Sequence, residues 1–125
     1  MNRLLTQPDH DVMVRKAVDF LRDLGYTGIR ADIHGFDKPR ERNWKGQLNG
    51  HIPDIEAQGN GKPYLFEVET SDSITDQHTA DQWKLFAAHA KINSGEFWVI
   101  VPRGEQPAVE RRLKSLGIVA KIWEI

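Results

Sequence analysis

The sequence lacks cysteine, so it can form neither a disulfide framework nor a thiolate-ligated metal site. It also lacks a long hydrophobic run, because the longest uninterrupted apolar stretch, Phe97 to Val101, is five residues long. A helix that spans a membrane needs about 20 apolar residues. The first eleven residues contain no apolar core of signal-peptide length. We therefore expect a cytoplasmic protein that does not enter a membrane.

An excess of basic charge is also missing, since the net charge of the 125 residues is −1. This value argues against a nucleic-acid partner, because such partners usually meet a basic surface. The charges are, however, segregated along the chain. The window from Asp54 to Asp81 holds seven acidic residues and one basic residue, and the rest of the chain holds 16 basic and 11 acidic residues. The protein therefore combines one acidic region with a basic remainder.

Hydrophobic periodicity predicts a single α/β domain over residues 1–125, with the element order α-β-β-β-α-β-α-β. Gly25 and Gly117 are placed to end the first and third helices. Ser73 and Asp76 resemble a capping box at the start of the second helix. The predicted helices cover residues 11–24, 73–92 and 105–116, and the predicted strands cover 29–33, 52–57, 63–70, 97–101 and 118–123.

The pair Asn60-Gly61 lies between the second and third predicted strands and is typical of a two-residue hairpin turn. With these residues at the centre of the turn, Asp54 stands directly opposite Glu67, and Glu69 lies on the same face of the sheet. Directly opposed residues have Cβ atoms about 4.5–5.5 Å apart. A three-residue loop without a bulge would instead place Asp54 on the face opposite to the two glutamates. The turn therefore decides whether three carboxylates converge.

Carboxylates this close repel one another, and a bound divalent cation would relieve the repulsion. Hard cations such as Mg²⁺ prefer oxygen ligands, and carboxylates with a backbone carbonyl and waters suit them. Such an ion can activate a water molecule and neutralise charge on a phosphate during hydrolysis. The alternative is that Asp54, Glu67 and Glu69 are ordinary acids on a solvated strand face.

The pattern Pro53-Asp54, a hairpin and then Glu67-Val68-Glu69 resembles the PD-(D/E)XK nuclease superfamily, which includes restriction endonucleases and archaeal Holliday junction resolvases. The predicted order over residues 11–101 is similar to the α-β-β-β-α-β core of that superfamily. The resemblance implies a restriction-endonuclease-like fold, which is a mixed central sheet with flanking helices. The last helix and strand would then be a C-terminal extension.

This resemblance implies that Asp54 and Glu67 bind a Mg²⁺ or Mn²⁺ ion, with the backbone carbonyl of Val68 as a further ligand. Glu69 stands where members of the superfamily usually have a lysine. A glutamate there can be a metal ligand or the base that activates water, and it can also mark a member that has lost catalysis.

Some members supply the lysine from the following helix, which makes Lys84 a further catalytic candidate. The alternative for Lys84 is a surface residue paired with Asp81 on the same helix.

Basic residues and an aromatic residue lie in the loop from Lys38 to Lys45, and such side chains contact phosphates and stack on unpaired bases. The alternative is an ordinary solvated loop. His78, in the first turns of the second helix, lies near the expected phosphate position, and His51 is a candidate for the mouth of the site. The predicted nucleic-acid-binding residues are Arg40, Arg42, Trp44, Lys45 and His78.

The leading interpretation is a Mg²⁺- or Mn²⁺-dependent nuclease that hydrolyses phosphodiester bonds, with DNA favoured over RNA. Cleavage of both strands of a duplex would suit a homodimer of so small a domain. One alternative is a catalytically inactive nucleic-acid-binding or protein-interaction module on the same fold. Another is a structural domain that binds neither metal nor DNA.

Overall fold

The structure is a computed structural model that describes the backbone of residues 3–125 and the side chains of residues 9–125. The described chain is an α/β fold with the predicted order of elements. Its elements are α1 (Arg3–Asp23), β1 (Thr27–Ala31), β2 (Ile55–Gly59), β3 (Lys62–Val68), α2 (Gln77–Ile92), β4 (Glu96–Val101), α3 (Gln106–Leu116) and β5 (Lys121–Glu124).

The five strands form one mixed sheet in the order β1-β2-β3-β4-β5. The first three strands are antiparallel, whereas β3, β4 and β5 run parallel to one another. The helix α1 packs on one face of the sheet, and α2 and α3 pack on the other. The first core includes Val14, Val18, Ile55, Phe66 and Ile100, and the second includes Leu65, Trp83, Phe86, Val99 and Val109.

The β2–β3 hairpin has the predicted turn. Its register pairs Gly59 with Lys62 and Ile55 with Phe66. Asn60 and Gly61 both have positive φ angles, of 50° and 76°, as a type I′ turn requires. Because side chains alternate along a strand, this register directs Leu65, and then Glu67, to the face that α2 covers.

The boundaries of several elements differ from those predicted. The helix α1 begins at Arg3, not near residue 11, and continues through Pro8, which the sequence favours as a helix boundary. The strand β2 begins at Ile55 rather than Ile52, because Pro53 has no N–H for the ladder. The strand β5 begins at Lys121, since the preceding residues complete the exit from α3.

The predicted capping box at the start of α2 is wrong. The helix begins at Gln77 with Asp76 as its N-cap, and the Asp76 side chain makes no capping hydrogen bond. The Ser73 hydroxyl instead donates to the carboxylate of Glu69 at 2.7 Å. The oxygen of this hydroxyl accepts the backbone N–H of Thr70 at 3.1 Å, so it is engaged before the helix begins.

No helix within residues 3–125 is long and apolar enough to cross a membrane. The absence of a signal peptide stays a prediction, because the first two residues lie outside the part of the chain that the structure describes.

Candidate functional site

Two predicted metal ligands, Asp54 and Glu67, face each other at the end of the β2–β3 hairpin. The backbone N–H of Asp54 donates to Glu67 Oε1 at 2.9 Å, and the backbone N–H of Val68 donates to Asp54 Oδ2 at 2.8 Å. Each carboxylate is therefore fixed by the backbone of the opposite strand. Asp54 Oδ1 and Glu67 Oε2 take no part in the hydrogen bonds of the described residues.

Glu67 is nearly inaccessible to solvent, with 3% of its surface exposed. Burial, followed by the negative charges of Asp54 and Glu69, raises the pKa of the Glu67 carboxyl well above its usual value. Among residues 9–125 no lysine, arginine or histidine forms an ion pair with this carboxylate. A bound cation would offset both the burial and the repulsion.

Glu69 follows β3 directly and is 5% exposed. Its Oε1 accepts the hydrogen bond from the Ser73 hydroxyl, and its Oε2 accepts one from the Trp83 indole N–H at 3.0 Å. Burial and the charge of Asp54 raise the pKa of Glu69 to about 7, although both hydrogen bonds act in the opposite direction. Glu69 is therefore held between β3 and α2.

His10 on α1 is a member of the site that the sequence reasoning missed. Its Nε2 lies 3.2 Å from Asp54 Oδ2, and its Nδ1 lies 3.1 Å from Asp11 Oδ1. Burial lowers the pKa of His10, but the hydrogen bonds and charges of Asp54 and Asp11 outweigh it and raise the pKa to about 9. The sequence predicts this helix only from about residue 11, which leaves His10 outside any predicted element.

These side chains line a pocket of about 380 Å³ whose other wall is the first turn of α2. The first N–H groups of a helix have no partner within the helix and carry partial positive charge. The pocket therefore borders the N-terminus of α2, where Asp76 adds a further carboxylate. Its lining residues are His10, Asp54, Glu67, Val68, Glu69, Asp76, His78, Thr79 and Gln82.

The chemistry of Asp54 and Glu67 fits a hard divalent cation, since each has a carboxylate oxygen outside the hydrogen bonds described above. Within residues 9–125, no three His, Asp or Glu side chains already converge in the arrangement of a metal cluster. Both oxygens of Glu69 are engaged with Ser73 and Trp83, so this carboxylate would have to release one of them to become a ligand.

The structure does not bring Lys84 into this pocket. Lys84 is exposed and lines a separate groove of about 610 Å³ between α2 and the segment that precedes β5. The carboxylate of Asp81 accepts a hydrogen bond from the side chain of Gln77. The helical turn explains this placement, because Trp83 points towards the sheet and its neighbour in the sequence cannot point the same way.

Two of the predicted nucleic-acid-binding residues form an ion-pair cluster with Glu56. Both Arg40 and Arg42 lie 3.1 Å from the carboxylate of Glu56, and the backbone N–H of Arg40 also donates to it. Glu56 is buried on the same sheet face as Leu65, so its charge requires partners. Arg42 is largely buried, whereas 68% of the Arg40 side chain is exposed.

The other part of this loop stays accessible. Trp44 is 46% exposed, and Lys45 is also exposed. The loop is attached to α2 by the backbone carbonyl of Asn43, which lies 2.9 Å from Nε2 of His89. Trp44 and Lys45 are thus presented by an anchored segment of chain.

His78 lines the pocket and also contacts His51, with the two ring centroids 5.3 Å apart. Burial and the proximity of His78 lower the pKa of His51. His51 pairs with Arg42, in the loop from Lys38 to Lys45, through an antiparallel backbone bridge. The two histidines therefore connect the loop to the mouth of the pocket.

The residues that geometry brings together are thus Asp54, Glu67, Glu69 and His78 from the predicted set, with Val68 contributing backbone and His10 added by α1. Glu69 is supported by Trp83, which belongs to the second core, and by Ser73, which the sequence predicted as a helix cap. In comparisons with known proteins, the chain matches no protein-family model, no curated protein and no solved structure.

Proposed function

We propose that this protein is a divalent-metal-dependent nuclease that hydrolyses phosphodiester bonds in DNA, built on a restriction-endonuclease-like core with a C-terminal helix and strand. The observation that carries the proposal is the pair of carboxylates, the half-buried Asp54 and the buried Glu67, in one pocket with the first turn of α2. The mixed sheet and the order of its elements are compatible with that core.

A Mg²⁺ or Mn²⁺ ion would be held by Asp54 and Glu67, with the carbonyl of Val68 as a further oxygen ligand. When bound, such an ion lowers the pKa of a water molecule and neutralises charge on the phosphate. The burial of Glu67 favours this role, because a cation is more strongly attracted where water is excluded.

The chain's own groups supply the remaining functions. Glu69 lies two residues beyond Glu67 and would accept a proton from the attacking water, a role that its raised pKa suits near neutral pH. The N–H groups of the first turn of α2 would bind the phosphate. Trp44 and Lys45 would contact a base and the backbone of the nucleic acid.

A second candidate is a nucleic-acid-binding or protein-interaction module without catalysis. It is favoured by the absence of lysine and arginine from the pocket lining within the described residues, since a nuclease of this kind usually places a cation beside its acids. It is also favoured by Glu69, whose oxygens are both occupied.

Cleavage assays separate the two candidates. Supercoiled plasmid, linear single strands and branched duplexes would be incubated with the protein in Mg²⁺, in Mn²⁺ and in EDTA. We expect cleavage only with metal and a loss of at least about 100-fold in Asp54→Asn and Glu67→Gln, the scale on which lost electrostatic stabilisation acts. Glu110→Gln, on the exposed face of α3, is the matched control.

The result that contradicts the proposal is binding of DNA without cleavage under either metal, or cleavage that survives both substitutions. Both variants replace an oxygen by a group of the same shape, so the hairpin and its backbone hydrogen bonds should persist. Circular dichroism would verify that the variants fold. Sedimentation in the presence of duplex DNA would test the homodimer that cleavage of both strands favours.

A further inference from the structure

His10 is placed on the pocket by the first half of α1, the helix that packs on the opposite face of the sheet. Its side chain is largely buried, with 13% exposed. The imidazole Nε2 lies 3.2 Å from Asp54 Oδ2, which is one of the two carboxylates assigned above to the metal. The pocket therefore brings the His10 imidazole beside the two carboxylates assigned to the metal.

The second ring nitrogen of His10 contacts a carboxylate of its own helix. Nδ1 lies 3.1 Å from Asp11 Oδ1, and the Asp11 side chain is 42% exposed at the rim. Imidazoles that bind metals almost always donate their other ring N–H to a carboxylate or a carbonyl, which fixes the ring and the tautomer. Asp11 gives His10 this partner and directs Nε2 towards the carboxylates.

Glu67 supplies an independent indication that a cation belongs here. It is 3% exposed and lines the same pocket, while its only hydrogen bond within residues 9–125 is the one from the Asp54 N–H to Oε1. His10 is paired with Asp54 and Asp11, so its charge does not satisfy Glu67. A buried carboxylate without a cation is costly. The three side chains do not already converge as a metal cluster within residues 9–125, so an ion shared by them would relieve that cost once His10 Nε2 exchanges its contact with Asp54 Oδ2 for the ion.

We propose that His10 is a metal ligand, which together with Asp54 and Glu67 forms a mixed nitrogen and oxygen set that favours Mn²⁺ over Mg²⁺. This inference rests on the metal site of the proposed function. Mg²⁺ prefers oxygen ligands and is reluctant to lose water, whereas transition metals accept imidazole readily. On binding, the metal replaces the proton on Nε2, and that proton passes to solvent.

The test measures metal binding without DNA. Protein stripped with EDTA would be titrated with Mn²⁺ and with Mg²⁺ by calorimetry, and the Mn²⁺ complex would be examined by pulsed electron paramagnetic resonance for coupling to nitrogen. The variants are His10→Ala and His10→Gln, because the glutamine amide can still donate to Asp54 but offers no imidazole nitrogen. His34→Ala is the control, since His34 is an exposed histidine outside the pocket.

We expect wild type and His34→Ala to show nitrogen coupling and to bind Mn²⁺ more tightly than Mg²⁺. Both His10 variants should lose the coupling and about 10-fold or more in Mn²⁺ affinity, with Mg²⁺ affinity changed by less than about 3-fold. Losses of this order accompany damage even to the partners of metal ligands.

Two results would overturn the inference. One is a Mn²⁺ complex of the wild type without nitrogen coupling. The other is an equal loss of both metals in His10→Ala that His10→Gln restores, which would make His10 a positioning residue for Asp54.

Failure of the nuclease proposal is distinguishable from failure of this inference. Nitrogen-coupled Mn²⁺ binding without any DNA cleavage would refute the nuclease and leave the ligand assignment intact. Metal-dependent cleavage by a complex without nitrogen coupling would support the nuclease and refute the assignment of His10 as a ligand. A wild-type protein that binds neither metal would refute both.

Discussion

The substitution Glu69→Gln should stabilise the metal-free protein at alkaline pH, although it alters a buried and fully hydrogen-bonded side chain. A glutamine keeps the shape of Glu69, accepts the indole N–H of Trp83 through its carbonyl oxygen and donates to the hydroxyl of Ser73. What it removes is the charge that burial and Asp54 disfavour.

The magnitude follows from the pKa of Glu69, which rises from 4.5 to about 7 on folding. Because the folded state binds the proton more tightly, this carboxyl contributes its full stability below pH 4.5 and loses it as the pH rises through 7. Ionisation of Glu69 should therefore cost the folded state about 3 kcal/mol at pH 8 and less than about 1 kcal/mol at pH 5. Glu67, whose pKa is also raised, adds to the loss in the same direction.

The assay is urea denaturation in EDTA at pH 5 and pH 8, with Glu110→Gln as the exposed control. We expect Glu69→Gln to gain about 3 kcal/mol in free energy of unfolding at pH 8 and much less at pH 5, whereas the control should follow the wild type. Equal effects at both pH values, or a net destabilisation of the variant at pH 8, would refute this account of Glu69. Because a bound cation offsets the same charge, Mn²⁺ should reduce the difference at pH 8.

Two further substitutions test the packing that supports the site. Arg42→Ala should cost about 3 kcal/mol in unfolding free energy, because it removes the buried partner of Glu56. Arg40→Ala should cost less than about 1 kcal/mol, because the Arg40 side chain is 68% exposed. Equal losses of the two variants in urea denaturation would contradict this difference. Gly59→Ala should destabilise the hairpin by about 1–3 kcal/mol, because the added Cβ would lie 2.6 Å from the ring of Tyr26. A Gly59→Ala protein with the melting temperature of the wild type would show that the ring moves away freely.

Local features of the sequence determined the hairpin. Asn60-Gly61 favours a two-residue turn with positive φ angles, and the period of two along each strand then places Asp54 opposite Glu67. Both rules act over a few residues, so the sequence alone predicts the register of the β2–β3 hairpin. The order of elements follows in the same way from hydrophobic periodicity and from glycines such as Gly117, which ends α3 with a φ of 68°.

Long-range contacts decided the rest. The sequence shows basic residues at Arg40 and Arg42, but only the folded sheet brings the buried Glu56 to both of them. Ser73 has the spacing of a helix cap, yet its hydroxyl oxygen accepts the backbone N–H of Thr70 and its hydroxyl group donates to Glu69.

His10 shows the same limit most clearly, because Asp54 is 44 residues away along the chain and no periodicity relates the two. Spacing along one chain determines local conformation and the parity of side chains. The partner of each buried charge depends on how α1 and the segment between β1 and β2 pack against the sheet, and only the tertiary structure decides this packing.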